Sequence, residues 1–161
     1  MMKYKLIQEE SFTDYKEPSM VIACVSCNWK CALEGNFDPS FCHNSSLSNL
    51  PIKTISNEKL YQIYKKNNIT KAIIFGGLEP FLQFKEILNF IKYLRRQECN
   101  DTVVIYTGYT ETELYKAIQS LKQYSNIVLK FGRYIPNRPS VWDEVLGVEL
   151  ASDNQYGIKI S

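Results

Sequence analysis

Three runs of β-branched and aromatic residues recur along this chain, at Lys71–Phe75, Thr102–Tyr106 and Ile127–Phe131. Stretches of helical period lie between them. From Gln83 to Arg96, residues Phe84, Ile87, Leu88, Ile91 and Leu94 share one face. Thr110 and Glu113 have the spacing of a capping box, and the helix they open turns Leu114, Ala117, Ile118 and Leu121 inward. Upstream, Met20–Cys24 reads as a buried strand after the break at Pro18. Ser56 caps a helix with the stripe Leu60, Ile63 and Tyr64, and Ile55 with Leu60 has hydrophobic-staple spacing. Strands and helices that alternate through short connections build parallel βα units. A closed barrel of eight units typically needs about 250 residues, and this chain has 161. The expectation is a single α/β domain over residues 1–161, an open or partial (βα) barrel with a mostly parallel sheet. Minor strands are expected at Tyr4–Ile7, Val145–Leu150 and Ile158–Ile160.

The apolar fraction of 45% and charged fraction of 22% suit an ordinary globular domain with a core. A net charge of +2, with no dense Lys/Arg run, argues against a nucleic-acid partner. The opening MMKYKLIQEESF has no apolar core of a secretory signal, and no run is long enough to span a bilayer. A cytoplasmic protein without a membrane partner is expected.

The chemistry concentrates in residues 24–44, CVSCNWKCALEGNFDPSFCHN, which hold four of the five cysteines and the only histidine. In a reducing compartment such a cluster reads as metal-binding or catalytic before it reads as disulfide-bonded. Residues 25–53 carry no sustained period and read as a long loop, which in a compact domain suggests function. Thiolates suit iron–sulfur clusters and zinc alike. Cys24, Cys27, Cys31 and Cys42 could close a tetrahedral zinc site, with His43 able to replace one of them. Three ligands would suit a cluster with one open iron. Spacing alone leaves both readings open.

The residues around the cysteines carry a resemblance. Cys27-Asn28-Trp29-Lys30-Cys31, with Phe41-Cys42-His43-Asn44 at the end of the loop, resembles the Cys-x-x-x-Cys-x-aromatic-Cys motif of radical S-adenosylmethionine activating enzymes. Ten residues separate Cys31 from Cys42, where that family usually has two, so the third cysteine returns by an excursion through Gly35 and Asp38-Pro39. Gly76-Gly77-Leu78-Glu79-Pro80 is similar to the family's Gly-Gly-Glu-Pro segment with Leu78 inserted. Tyr106-Thr107-Gly108-Tyr109, Gly132-Arg133-Tyr134 and Ser152-Asp153-Asn154-Gln155 resemble segments of anaerobic ribonucleotide reductase activating proteins. The resemblance runs from about Met20 to Gln155.

It implies a fold of the radical SAM type and a 4Fe-4S cluster held by Cys27, Cys31 and Cys42. It implies S-adenosylmethionine as cofactor, with Gly76, Gly77 and Glu79 at its methionine end and Phe41 at its adenine. Tyr106 and Thr107 are further candidates for contact. The implied partners are the catalytic subunit of an anaerobic ribonucleotide reductase, which receives a glycyl radical, and reduced flavodoxin or a similar electron donor. Another glycyl-radical enzyme as partner, or a zinc-binding interaction module, is the alternative.

Other residues have plainer expectations. Cys24 on its strand reads as a core thiol, although Cys24, Cys27 and Cys31 also form a compact triplet. Cys99 ends a helix and reads as inert. Trp29 is expected to shield the metal, and His43 to shape its surroundings. Arg133 and Arg138 are candidates for a partner's carboxylates or for plain solvated surface. Asn154 and Gln155 are candidate caps of backbone groups. The chain has no phosphate loop of Walker type, no Gly-x-Ser-x-Gly and no Cys–His nucleophile pair with an orienting partner.

Overall fold

The computed structural model describes residues 1–161. Its centre is a six-stranded mixed sheet. Strands β3 (Ser19–Ala23), β5 (Ala72–Gly76), β6 (Thr102–Tyr106) and β7 (Ile127–Phe131) lie side by side and parallel. The edges are antiparallel: β2 (Leu6–Ser11) on β3 and β10 (Tyr156–Lys159) on β7. Two small antiparallel pairs stand apart from it. One joins β1 (Met2–Tyr4) to β4 (Lys53–Ile55), and the other joins β8 (Val141–Asp143) to β9 (Val148–Leu150).

Parallel neighbours follow sequence order, so the sheet grows in one direction from β3 to β7. Right-handed crossovers that always advance the same way deposit their helices on one face. Accordingly α2 (Asn57–Lys66), α3 (Phe84–Arg96) and α4 (Tyr115–Leu121) all contribute to one core. There Leu60, Ile87, Phe90 and Leu121 meet Ile22, Ile73, Phe75 and Ile105 from the sheet. The opposite face carries a smaller core of Ala72, Ile74, Val104 and Val128. It is covered by Tyr15 and by Leu146 and Leu150 from the β8–β9 hairpin. The strands are buried on both faces, which explains why their sequences read as continuous apolar runs.

Local signals act as expected at several ends. The Ser56 hydroxyl accepts from the Lys59 N–H at 3.1 Å, a cap of roughly 1 kcal/mol on α2. Thr110 and Glu113 bond reciprocally, the Thr110 N–H donating to the Glu113 carboxylate at 2.8 Å, but they close a turn, and α4 starts only at Tyr115 with Leu114 as its N-cap. Other expectations change. The strand expected at Tyr4–Ile7 divides at Lys5, because the buried Lys5 ammonium donates to the carbonyls of Ser48 and Leu50 and turns the chain between two sheets. The Val145–Leu150 strand shortens to β9 and acquires an unforeseen partner in β8. The loop over 25–53 contains a short helix, α1 (Lys30–Gly35), and 3-10 turns at Pro39–Phe41 and Ser45–Asn49. No helix is long and apolar enough to cross a membrane.

Candidate metal centre

The four parallel strands end at Ala23, Gly76, Tyr106 and Phe131, and the loops that leave them surround a cavity of about 280 Å³. Strand register sets its floor. Ala23 pairs with Gly76, and Tyr106 with Lys130, on the face turned away from the helices. Gly76 has no side chain, and a Cβ there would stand 3.2 Å from the Tyr106 Cβ. Gly77 is left-handed, at φ 76°, and a Cβ there would stand 2.7 Å from Leu47. Any other residue at Gly77 would strain the left-handed backbone and force the Leu47 side chain aside.

That loop is fastened at its base to β5 and to the segment just after that strand. The Cys24 N–H donates to the Gly76 carbonyl at 2.9 Å, and the Glu79 N–H to the Ser26 carbonyl at 2.8 Å. The buried Gln83 amide accepts from the Val25 N–H at 2.8 Å. Cys27 therefore leaves a fixed backbone. Its sulfur accepts from the Trp29 N–H at 3.3 Å, across a left-handed Trp29 at φ 57° that starts α1 and presents Cys31. Cys27, Cys31 and Cys42 all line the cavity, all are half-buried and none forms a disulfide. Burial raises the Cys27 and Cys31 thiols. At Cys31 the backbone of Tyr134 and the charges of Arg133 and Lys130 oppose that rise.

Cys24 faces the other way. It is fully buried in the helix-side core, and burial lifts its thiol far above the ordinary range. It does not line the cavity, so the four-cysteine zinc set is not assembled and the core-thiol expectation matches its position. No three of the His, Cys, Asp and Glu side chains, the cavity cysteines included, are gathered closely enough to hold a metal ion directly. Cys99 is buried near the opposite, N-terminal ends of the strands, where its carbonyl accepts from Arg95.

Glu79 is the main organiser of the cavity wall. Its buried carboxylate accepts from the Phe81 N–H at 3.0 Å, the Thr107 hydroxyl at 2.7 Å and the Gly108 N–H at 3.0 Å. Burial raises it above the usual carboxylate range, and these three donors with Lys130 hold the rise in check. Gly108 is required by proximity: a Cβ there would stand 2.9 Å from the Cys31 sulfur. A cradle this close to one sulfur, in a cavity shared by three thiols, fits a thiolate-held cluster.

Opposite stands Lys130. Burial pushes its ammonium down to about 8, against the pull of Cys31 and Glu79. Its Nζ reaches two backbone carbonyls, those of Thr107 and Gly132, each at 3.4 Å, and forms no ion pair. A buried cation so thinly partnered favours an anionic group in the cavity.

The expected contact residues sort unequally. Gly77, Glu79, Tyr106 and Thr107 line the cavity, as do His43 and Gln155, whereas Gly76, one residue back on β5, does not. The Tyr106 hydroxyl is committed to the Asp14 carbonyl. Phe41 does not line it: the 3-10 turn of the excursion carries the ring to the surface, 64% exposed. Trp29 packs against the helix-side core instead of entering the cavity. Sequence reasoning missed Lys130, Asp14 and the Val148–Ala151 segment of the wall. Lys130 had a legible signal, a lone charge inside an apolar strand; the other two are joined to the site only by folding.

Arg133 is not a solvated arginine. Its guanidinium bonds both oxygens of Glu34, both oxygens of Glu113 and the Gly108 carbonyl. Glu113 also receives Lys30. These donors, Arg133 foremost, hold the Glu113 carboxyl well below its usual range. A depressed acid stabilises the fold above its unfolded pKa, near 4.3, and that contribution is lost as pH falls through the folded value. Thermal unfolding of Glu113→Gln should therefore show a deficit against wild type at pH 7 that narrows as pH drops below about 4.

Three half-buried free cysteines line one cavity at the C-terminal ends of parallel strands, beside a glycine cradle, and this is the donor chemistry of a thiolate-bound metal centre. Residues 20–145 match the family model of the 4Fe-4S single cluster domain, and the chain belongs to that family. It is an iron–sulfur protein. No curated protein and no solved structure matches it.

Proposed function

We propose that this chain is a radical S-adenosylmethionine activase that installs a glycyl radical on an anaerobic ribonucleotide reductase, with reduced flavodoxin or a similar protein as electron donor. One observation carries the reading. The segments that resemble that family, the outermost more than a hundred residues apart, send Cys27, Cys31, Cys42, Gly77, Glu79, Thr107, Gly108, Gly132 and Gln155 to one cavity. The 4Fe-4S single cluster domain is also found in radical SAM activating enzymes. The one-directional order of the parallel strands, with helices on one face of a mixed sheet, supports a partial (βα) barrel of the radical SAM type as the fold under this reading.

Cys27, Cys31 and Cys42 would hold the cluster and leave one iron free for the amino and carboxylate groups of S-adenosylmethionine. A reduced cluster held by these cysteines would supply the electron for reductive cleavage of the sulfonium, the chemistry that would let a hydrogen atom be taken from the partner's glycine. The chain's own residues do the positioning. Lys130 presents a buried positive charge to the cofactor's carboxylate. Gly76 and Gly77 keep the end of β5 clear for its methionine end. Glu79 fixes the Thr107–Gly108 wall, and the strand ends exclude bulk water around the reactive carbon.

The test is anaerobic incubation of reconstituted protein with dithionite or reduced flavodoxin, S-adenosylmethionine and a candidate reductase. Formation of 5′-deoxyadenosine and methionine with a glycyl radical resonance is expected. Nucleoside without the resonance would reassign the partner to another glycyl-radical enzyme. A fully loaded protein that forms no nucleoside would overturn the activase reading.

A further inference from the structure

The ten residues between Cys31 and Cys42 pose a physical problem. A two-residue spacer brings ligands together through local chain geometry, whereas a ten-residue one must be closed by contacts that offset the freedom of the longer loop. The excursion has internal order. The Asn36 and Phe37 N–H groups both donate to the Ala32 carbonyl, and the Asp38 carboxylate accepts from the Ser40 N–H. It buries little of itself, however: Ala32 is its buried side chain, while Leu33 and Phe41 are exposed.

Its attachment to the domain comes from two consecutive residues beyond β7. Arg133 grips the Cys31 side. Its Nε and Nη2 bond the Glu34 carboxylate at 2.8 and 3.1 Å, three residues after Cys31 on α1. The same guanidinium bonds Glu113 at 2.9 and 2.7 Å and the Gly108 carbonyl, so it also fixes the backbone against which the Cys31 sulfur lies. Tyr134 grips the Cys42 side. Its ring meets Phe37 edge-on at 6.1 Å and lies 5.0 Å from the ring of His43, the neighbour of Cys42. Its backbone also lies close enough to the Cys31 thiol to oppose the rise that burial gives it.

We propose that the Arg133–Tyr134 step is the positioning element that closes the long Cys31–Cys42 excursion and holds both thiols at the cavity. The inference rests on these cysteines being cluster ligands and concerns how they are held. Neither residue is a ligand. Lysine cannot replace Arg133, because one point charge cannot bond Glu34, Glu113 and Gly108 in the forked geometry that a guanidinium provides. Phenylalanine can replace Tyr134, because its ring and backbone make the contacts.

The test measures iron release to a chelator from anaerobically reconstituted protein, together with the electron paramagnetic resonance of the reduced cluster. Circular dichroism checks the fold of each variant. Arg133→Ala, Arg133→Lys and Tyr134→Ala should release iron roughly 10- to 100-fold faster than wild type, the range seen when groups that orient metal ligands are removed, and should alter the resonance. Tyr134→Phe should match wild type in both. Phe37→Ala, a change on the excursion itself that leaves β7 intact, should also speed release. Wild-type release rates in Arg133→Ala and Tyr134→Ala would overturn the proposal, and so would full recovery in Arg133→Lys. Cys31→Ala and Cys42→Ala distinguish the underlying reading: if they keep wild-type iron, the ligand assignment falls and the clamp falls with it.

Discussion

Anaerobic reconstitution of Cys27→Ala, Cys31→Ala or Cys42→Ala will yield protein with little of the iron and sulfide that wild type takes up, whereas Cys24→Ala will load fully. The difference follows from where the sulfurs lie. Three line one cavity at the C-terminal ends of the parallel strands, and the fourth is sealed in the core beneath the helices. A cluster held through three thiolates has no spare protein ligand, so losing one leaves two irons without a protein donor. The measurement is iron and sulfide per chain, with the visible absorbance of the reconstituted protein. Loss of cluster in Cys24→Ala, with the fold intact by circular dichroism, would move the ligand set to the upstream triplet and reopen the assignment of Cys42.

Glu79→Ala will be the most damaging single change in the cavity wall outside the cysteines. Its carboxylate satisfies the Phe81 N–H, the Thr107 hydroxyl and the Gly108 N–H, and alanine leaves all three without an acceptor in a buried place. A stranded buried donor costs roughly 1–3 kcal/mol, releasing a desolvated carboxylate returns part of that, and the expected net loss is about 3 kcal/mol in urea unfolding. Glu79→Gln keeps one oxygen and turns an amide N–H₂ toward a remaining donor, so about half that loss is expected. The site should suffer with the fold, because the Gly108 backbone that cradles Cys31 is one of the groups set adrift. If Glu79→Ala unfolds at the wild-type urea midpoint, the wall is organised by something other than this carboxylate.

The buried charges explain why the two ends of the sheet differ. At the N-terminal end, Tyr64 donates to Asp101 at 2.6 Å and Arg95 bonds the carbonyls of Cys99 and Ser125, and these contacts knit α2, α3 and the adjoining loops together. At the C-terminal end the polar groups turn toward a cavity, and Lys130 is left with two long contacts to carbonyls. Besides these its Nζ lies 6.0 Å from the centre of the Tyr106 ring, and under the proposed function this thinly partnered charge is the one that meets the cofactor's carboxylate.

Much of this was legible before folding. The strands β5, β6 and β7 are short, apolar and bounded by glycine or polar residues. Helix α3 carries a single stripe, and Ser56 and the Thr110–Glu113 pair mark their turns, so periodicity and capping chemistry sufficed. The cysteines declared a metal site through their chemical type, which no folding is needed to reveal. The helix α1 was hidden because six residues starting at a left-handed tryptophan have no period to read. Arg133 was misjudged as a surface group because its partners Glu34 and Glu113 lie far away in the chain.

Amino-acid order alone determined the βα alternation, the core stripes and the presence of soft ligands, since each depends on residues a few positions apart and on side-chain chemistry. Only tertiary structure decided which thiols share a cavity. Alternation along β3 turns Cys24 into the helix-side core, and contacts from beyond β7 bring Cys42 back across ten residues. Such choices depend on which groups pack against a strand end, and the chain learns that only when distant segments meet.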